Sequence, residues 1–206
     1  MNRGAPSGHA FVITAPSGAG KTSLIDALMQ RLPGLERGIS YTTRAPGPGE
    51  VDGRDYHFVT DARFDELFVT GALLESTAAY GNRYGTGRDA LATQLARADV
   101  LLALDRHGAL ALRAALSELV RTIFVVPPSA QALRARLRAR GRDDDQSVER
   151  RLAAAAAELR GWREFDYVVV NDDFEQAVEE LATIVSAARC ERVARSGLIA
   201  DIEAGF

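Results

Sequence analysis

FVITAPSGAGKTSLIDAL, the stretch from Phe11 to Leu28, decides the fold class of this chain. A short apolar run leads into a loop of small residues, and Lys21-Thr22 then opens an amphipathic segment. This order is typical of a strand, a tight loop and a helix, in which backbone N–H groups surround an anion at the positive end of the helix dipole. The stretch therefore predicts a phosphate-binding loop on an α/β fold.

The predicted phosphate loop contains Ala15, Pro16, Ser17, Gly18, Ala19, Gly20, Lys21 and Thr22. Gly18 and Gly20 would let the backbone curl closely around phosphates. Lys21 would supply a compact positive charge, and the Thr22 hydroxyl would be a ligand of Mg²⁺. The consensus loop has glycine where this chain has Ala15, but alanine needs only a negative φ there. A glycine-rich turn that binds nothing is the alternative, and the intact Gly-Lys-Thr argues against it.

Short apolar runs alternate with helical patterns along the rest of the chain. The predicted buried strands are Phe11–Thr14, Val100–Leu104, Thr122–Val126 and Tyr167–Val170. Each is followed by a turn signal or a helix, which is typical of βαβ units and a parallel sheet flanked by helices. The sequence pattern changes between residues 39 and 87, which are rich in Gly, Pro, Tyr, Thr and charged residues. Short strand-like segments at Ile39–Tyr41, Tyr56–Val59 and Leu73–Thr77 predict a small mixed or antiparallel insert there.

The pattern of the remaining segments predicts helices between residues 129 and 195 and a tail at the beginning of the chain. Residues 129–160 are helical in pattern, with a break at Gly141 to Asp145. A C-terminal helix is predicted from Phe174 to Arg195, and residues 1–9 are predicted to form a loose tail.

Composition narrows the class of protein. The chain has 206 residues, a net charge of −3 and a single cysteine, Cys190. One domain with a real core fits this length. The charge favours neither nucleic acid nor an anionic membrane as a partner, and no apolar stretch is long enough to span a bilayer. We therefore expect a cytoplasmic protein without nucleic-acid or membrane partners.

Beyond the phosphate loop the chain resembles guanylate kinases. The longest matching segment is SYTTRAPGPGEVDGRDYHFV, from Ser40 to Val59. Further matches, in the family's order, are Leu74-Glu75, YGNRYGT (Tyr80 to Thr86), RLRARGRD (Arg136 to Asp143), Arg150-Arg151-Leu152-Ala153 and VVNDD (Val169 to Asp173). Together they cover most of residues 11–195.

The resemblance implies a P-loop nucleoside monophosphate kinase in one domain, residues 1–206. It implies a core at about residues 10–38, 88–128 and 160–206, a GMP-binding lobe at about 39–87, and a helical lid at about 129–159. The implied reaction is MgATP + GMP to ADP + GDP, with ATP and Mg²⁺ as cofactors and GMP or dGMP as acceptor. The transfer would be direct and in line, without a covalent enzyme intermediate.

The resemblance also assigns an acceptor site. Ser40 and Glu75 would read the guanine, because a carboxylate accepts from its N1–H and N–H₂ edge whereas adenine would leave Glu75 unpaired. Supporting residues at the base would be Thr86 and Asp105. The acceptor phosphate would be held by Arg44, Tyr56 and Tyr84. Taken singly, Glu75 reads as a surface carboxylate, the tyrosines as half-buried aromatic residues, and Asp105 as a helix cap.

The resemblance implies that Arg140 and Arg151 close over the transferring phosphoryl group, and the predicted catalytic residues are these two together with Lys21 and Arg44. Asn171 and Asp172 would contact the adenine side of ATP, with a plain strand-to-helix turn as the alternative. The arginine-rich segment could instead be a solvated helix face or a nucleic-acid patch, but its acidic residues offset much of the charge.

Three positions depart from the family pattern. Gly47 stands where a second phosphate-binding arginine is expected, Ala103 replaces an aspartate, and His107 replaces a glutamine. Arginines at positions 54, 83, 88 and 106 are candidates to compensate. The alternatives are a paralogue with another acceptor, such as ribose 1,5-bisphosphate, and a non-catalytic binding module. The intact phosphate loop and both lid arginines argue against the module.

Overall fold

The computed structural model describes residues 8–79, 81–139 and 144–206. In chain order the elements are β1 (Ala10–Thr14), α1 (Lys21–Arg31), β2 (Leu35–Arg37), β3 (Tyr41–Thr42), β4 (His57–Phe58), α2 (Asp61–Val69), β5 (Leu73–Ala79), β6 (Asn82–Gly87), α3 (Arg88–Leu95), β7 (Asp99–Ala103), α4 (Arg106–Leu116), β8 (Val120–Val126), α5 (Ala130–Ala139), α6 (Asp145–Leu159), β9 (Tyr167–Val170), α7 (Phe174–Ala188) and α8 (Arg192–Glu203).

A five-stranded sheet forms the centre of the molecule. Its order is β2-β7-β1-β8-β9, and every pairing in it is parallel. All five residues of β1 are buried because helices cover both faces of the sheet. The predicted fold class is therefore confirmed, and the carboxyl ends of β1, β7, β8 and β9 meet along one edge.

Alternate residues of β1 point to opposite faces of the sheet and pack into two separate apolar layers. Phe11 and Ile13 pack with α1 and α7 on one face of the sheet. Val12 packs on the opposite face, with Phe124 and with Leu112 of α4. These two layers fix α1 and α4 at the carboxyl edge, where both helices begin.

A second, four-stranded sheet lies within residues 41–87. Its order is β4-β3-β6-β5, with β3 and β4 parallel and the other two pairings antiparallel. Phe64 and Leu67 of α2 pack against Leu73 of β5 beneath it. The predicted mixed insert is confirmed, although β3 and β4 are shorter than predicted and β6 was not predicted. In the five-stranded sheet, β2 was not predicted either.

The predicted helical segment at residues 129–160 consists of α5 and α6. They share a small apolar cluster of Leu133, Leu137, Val148 and Ala155. The predicted break lies mostly in residues 140–143, outside the described residues; α6 begins after Asp144, whose carboxylate accepts from Ser147 N.

Two predictions at the ends of the chain are wrong at least in part. Residues 1–7 of the predicted tail lie outside the described residues, but Gly8 and His9 do not belong to a loose tail: His9 is 1% exposed, and its backbone N–H donates to Asp99 Oδ1 at 2.8 Å. The C-terminal helix is two helices, α7 and α8, because the chain turns at residues 189–191, where Glu191 has extended backbone angles and pairs with Arg121. Among the described helices, none combines the length and apolar character that crossing a bilayer requires.

Candidate active site

The phosphate loop connects β1 to α1 at the carboxyl edge of the sheet. Gly18 and Gly20 have φ values of 91° and 98°, which favour glycine. Side chains would also collide there: a Cβ on Gly20 would lie 2.4 Å from Asn171 Nδ2, and one on Gly18 would lie 2.9 Å from Leu133 Cδ1. The loop can therefore be tightly curled only because both positions are glycine.

The first turn of α1 suits an anion. Gly20 caps it without a side chain, and the turn contains no acidic residue, so its N–H groups are left for a ligand. Burial lowers the pKa of the Lys21 ammonium, and the Glu158 and Asp105 carboxylates partly offset that effect. Thr22 is exposed in the same turn. Phosphate oxygens fit the N–H groups and the ammonium as hydrogen-bond donors, and a magnesium ion fits the Thr22 hydroxyl oxygen as a ligand.

Asn171 ties the end of β9 to the phosphate loop. Its Nδ2 donates to Ala19 O at 2.7 Å, and the residue is buried. Its own carbonyl accepts from Arg136 Nη2 of α5 at 2.8 Å. Asp172, the next residue, is exposed, and Asp173 rather than Asp172 caps α7. The strand-to-helix turn is thus present, and Asn171 in addition supports the loop.

Arg136 is a further candidate site residue, to which the sequence assigned no role. Its Nη1 is buried and has no hydrogen-bond partner among the described residues. A buried guanidinium nitrogen without a partner is costly, so this nitrogen is a candidate contact for a phosphate oxygen. The RLRARGRD match contained Arg136, but only the contact with Asn171 distinguishes it from its neighbours.

A buried carboxylate forms the centre of the base site, which we define as Glu75, Thr86 and Asp105. Glu75 lies on β5 opposite Thr86 of β6, and Thr86 Oγ1 donates to Glu75 Oε1 at 2.6 Å. Glu75 is only 7% exposed, and its Oε2 has no partner in the described part of the chain. Burial raises the pKa of the Glu75 carboxyl, Thr86 opposes this, and the Asp105 charge adds to it.

Asp105 lies beside Glu75 at the start of α4 and caps that helix, as its alternative reading suggested. Its Oδ1 accepts from Gly108 N at 2.8 Å, and its Oδ2 accepts from Thr77 Oγ1 at 2.7 Å. A Cβ on Gly108 would lie 2.9 Å from Glu75 Oε2, so glycine leaves room for that oxygen. Thr77 was not predicted, although it is two residues from Glu75 and so lies on the same face of β5.

The residues predicted to hold the acceptor phosphate form a second group on the small sheet. The Arg44 guanidinium lies 5.3 Å from the centroid of the Tyr56 ring, and the Tyr56 and Tyr84 rings are 6.1 Å apart. Arg44 Nη2 donates to Glu50 Oε1 at 2.8 Å, and this pairing, with a smaller contribution from Tyr84, raises the pKa of Arg44. The three predicted residues are therefore brought together.

For two of the other predicted residues, Ser40 and Arg151, the structure gives a position in the fold. Ser40 is half-buried just before β3, where its carbonyl accepts from His57 N. Arg151 is half-buried on α6. Arg140 lies outside the described residues.

The departures from the family pattern lie near the site. Gly47 N donates to Glu50 Oε2 at 2.6 Å, next to Arg44. Ala103 is exposed at the end of β7, and His107 is exposed in the first turn of α4. Three of the candidate compensating arginines are held elsewhere: Arg54 pairs with Asp55, Arg83 with Asp65, and Arg106 with Glu164.

Comparison with known proteins agrees with this geometry. The guanylate kinase family model matches residues 7–188. Guanylate kinase of Thiobacillus denitrificans is 44% identical over 93% of this chain and 91% of its own length, and that of Bordetella pertussis is 48% identical over 92% and 88%. The crystal structure of guanylate kinase from Anaplasma phagocytophilum superposes with a TM-score of 0.68 and 30% identity, covering 91% of this chain and 89% of the other. The chain therefore belongs to the guanylate kinase family.

Proposed function

We propose that this protein transfers the γ-phosphoryl group of MgATP directly to GMP, giving ADP and GDP. The observation that carries the proposal is the Glu75 carboxylate, which is buried, held by Thr86 through one oxygen and unpaired at the other. A buried acceptor without a donor is unfavourable, so a ligand that supplies donors is favoured there.

Guanine supplies those donors. Its N1–H and exocyclic amine lie side by side and can both reach a carboxylate, with Glu75 Oε2 as the free acceptor. Adenine presents an unprotonated N1 in the same place and would leave the carboxylate unpaired, which is the strongest form of discrimination available to such a site. Asp105 would contribute a second carboxylate, and Ser40 a hydroxyl for the O6 oxygen. The same match of donors to Glu75 favours GMP over a sugar phosphate.

The ATP side is assigned to the phosphate loop and the helices next to it. Lys21 and the loop N–H groups would bind the β- and γ-phosphates, and Thr22 would be a ligand of Mg²⁺, which neutralises charge on those phosphates when bound. Arg136, Asn171 and Asp172 would complete the ATP site. Among the described residues, no group of three or more His, Cys, Asp or Glu side chains is placed to hold a metal ion.

Catalysis would then consist of positioning and charge stabilisation. Arg44, with Tyr56 and Tyr84, would hold the acceptor phosphate in line with the donor. Arg140 and Arg151 would stabilise the equatorial oxygens of the transferring group. Residues 129–159 would close as a lid over residues 39–87 and exclude water, which would otherwise accept the phosphoryl group. The reaction would take place in the cytoplasm, where ATP and GMP are available. It would require no nucleic acid as a partner.

The test is a coupled ADP-release assay with MgATP and GMP, dGMP, AMP, UMP or ribose 1,5-bisphosphate as the acceptor. We expect turnover with GMP and dGMP, and at least a hundredfold less with AMP and UMP. Lys21→Met is the control for phosphate-loop catalysis and should abolish turnover. Turnover with ribose 1,5-bisphosphate but not GMP would overturn the proposal.

A further inference from the structure

We propose that a groove beside β9 binds an organic anion with an apolar body, such as the carboxylate of a medium-chain fatty acid. The groove, which we call the β9 groove, has a volume of about 680 Å³. Sites for small molecules typically have volumes of roughly 300–1,000 Å³. The proposal does not depend on the proposed kinase activity, because no lining residue belongs to the substrate sites above. The lining residues are Val126, Leu159, Arg160, Trp162, Arg163 and Val168.

The β9 groove lies at the edge of the parallel sheet, where one face is only partly covered. In the described part of the chain, β9 is an edge strand. Val169 is buried on one face, in the apolar layer that contains residues of α7. Val168 and Val170 point to the other face, where α4 packs on β1 and β8, and they remain 41% and 48% exposed. The apolar surface of β9 on this face is therefore open to a ligand.

The apolar part of the β9 groove continues the core. Val126 and Leu159 are partly buried against the layer that contains Phe124 and Phe165. Trp162, in the short turn after α6, lines the same groove and is 43% exposed. A ligand with an apolar body would remove these side chains from water, which favours its binding.

Two arginines give the β9 groove a positive charge. Arg160 directly follows α6, and Arg163 lies in the next turn, with its guanidinium 4.5 Å from the centroid of the Trp162 ring. Arg106 and Arg113 already pair with the two carboxylates that come next in the chain. Arg160 and Arg163, by contrast, have no ion-pair partner among the described residues. An anionic group therefore complements this end of the groove.

The polar side-chain groups that line the β9 groove are all hydrogen-bond donors. They are the two guanidinium groups and the indole N–H of Trp162. A carboxylate only accepts hydrogen bonds, so it matches these groups. A nucleobase also presents donors, which no lining side chain could accept, and the arginines would repel a cation. This set of donors therefore specifies an organic anion and disfavours a second nucleotide.

The shape of the groove favours a free molecule over a lipid bilayer. The apolar side chains line a concavity between the end of α6 and the edge strand. A bilayer is entered by a protruding apolar face, such as that of an amphipathic helix, whereas a concavity encloses a single small molecule.

Fluorescence of the full chain tests the proposal directly, because Trp162 is its only tryptophan. Titration with octanoate should shift the emission to shorter wavelengths and saturate, with a midpoint of about 1 mM. Octanol has the same chain length without the charge and should not reach half-saturation within its solubility, and octylamine should not bind. No shift, a shift that does not saturate, or equal midpoints for octanoate and octanol would overturn the proposal.

Substitutions distinguish the β9 groove from non-specific adsorption. Val168→Glu places a negative charge in the groove and should raise the octanoate midpoint by roughly tenfold or more. Val69→Glu is the matched control, since Val69 is 83% exposed on α2, and its midpoint should be that of the wild type. Circular dichroism checks that each variant is folded. An unchanged midpoint in folded Val168→Glu would overturn the proposal.

Charge reversal tests the two arginines. Arg160→Glu/Arg163→Glu should weaken octanoate binding by roughly tenfold or more, whereas Arg160→Lys/Arg163→Lys keeps the charge and should bind within about threefold of the wild type. Equal midpoints for the two double variants would refute the role of charge.

Two further measurements test other occupants of the β9 groove. Tryptophan emission that changes with protein concentration, without octanoate, would mean that a second copy of the chain covers the groove. An emission shift with vesicles of phosphatidylglycerol, together with no response to free octanoate, would assign the groove to a membrane. Either result would overturn the proposal.

Discussion

Thr86 Oγ1 lies 2.6 Å from Glu75 Oε1, and it satisfies one oxygen of a buried carboxylate while the other has no partner among the described residues. The pair is therefore half satisfied in the absence of a ligand. Because desolvation of a charge is unfavourable and only part of it is offset, this site makes the folded protein less stable than an apolar or neutral one would. We therefore expect recognition of the base and stability of the fold to be opposed at Glu75.

Glu75→Gln should separate these two effects. The amide removes the buried charge but presents donors to the donors of guanine, so we expect kcat/KM for GMP to fall by roughly 10²- to 10⁴-fold. The free energy of unfolding without substrate should rise by about 1 kcal/mol, or roughly 2–4 °C in Tm. Glu66→Gln is the control, because Glu66 is an exposed partner of Arg63 and should change neither quantity. Loss of stability with retained GMP turnover would contradict both assignments.

The same group predicts a pH dependence of stability. Burial raises the pKa of Glu75 in the folded protein, so the folded state binds its proton more tightly than the unfolded state. Stability should therefore fall as pH rises from the ordinary glutamate pKa of about 4.3 to the raised value, and then stay level with respect to this group. Thermal unfolding measured from pH 4 to 8 should show this decrease in the wild type and a smaller one in Glu75→Gln. Parallel curves would mean that Glu75 ionises normally.

Thr77 should act as a positioning residue for base selectivity. Its hydroxyl donates to Asp105, which we propose as a second acceptor for the exocyclic amine of guanine, beside Glu75. Thr77→Val removes the hydroxyl at nearly constant volume and should raise the KM for GMP roughly 3- to 10-fold, as expected for one lost hydrogen bond. Inosine monophosphate lacks the exocyclic amine, so its KM should change little, and Thr77→Ser should restore selectivity. Equal changes for both nucleotides would reduce Thr77 to a structural contact.

Gly47→Arg should restore a missing phosphate contact. A Cβ at Gly47 would lie 3.1 Å from Glu50 Oε2 and 3.8 Å from Arg44 Nη1, so the flexible Glu50 side chain must shift slightly. Gly47 is not among the glycines with positive φ, so the backbone itself does not strain a side chain there. A charge-assisted contact contributes about 1.5 kcal/mol or more, so the KM for GMP should fall roughly tenfold in steady-state assays. Gly47→Ala should leave KM unchanged. An unchanged KM in the arginine variant would show that residue 47 does not face the acceptor phosphate.

Asn171→Ala should weaken the phosphate loop itself. Loss of the amide leaves the buried Ala19 carbonyl without that donor, at a cost of about 1–3 kcal/mol in unfolding free energy. We expect a lower Tm together with a raised KM for ATP. Asp172→Ala alters an exposed side chain and should leave Tm unchanged. If the two variants had the same Tm, Asn171 would be no more than a turn residue.

The sequence predicted the parallel sheet well because its strands are nearly continuous apolar runs, a consequence of helices on both faces. It missed β2, which has three residues and only one fully buried side chain, Leu35. It also missed β6, since Asn82–Gly87 contains polar residues and glycines that are typical of turns. Tertiary pairing with β5 and β3, rather than local propensity, forms that strand.

Motifs indicated most of the candidate site, and contacts across the chain added the rest. Glu75, Thr86 and Asp105 were expected to support one base, and they do lie together. Thr77 and Arg136 could not be distinguished from neighbouring polar residues, because their roles depend on Asp105 and Asn171, which are 28 and 35 residues away. Such partners are set by the fold and leave no periodic signal in the sequence.

Asp105 and Arg106 are neighbours in the chain but contact different parts of the molecule. Asp105 is held at the base site by Thr77, whereas Arg106 donates to Glu164 in the short turn after α6, the helix that carries Arg151. A change in the first turn of α4 therefore moves the base site and the attachment of the proposed lid together. Redesign of the enzyme for another base therefore cannot treat residue 105 as an independent variable.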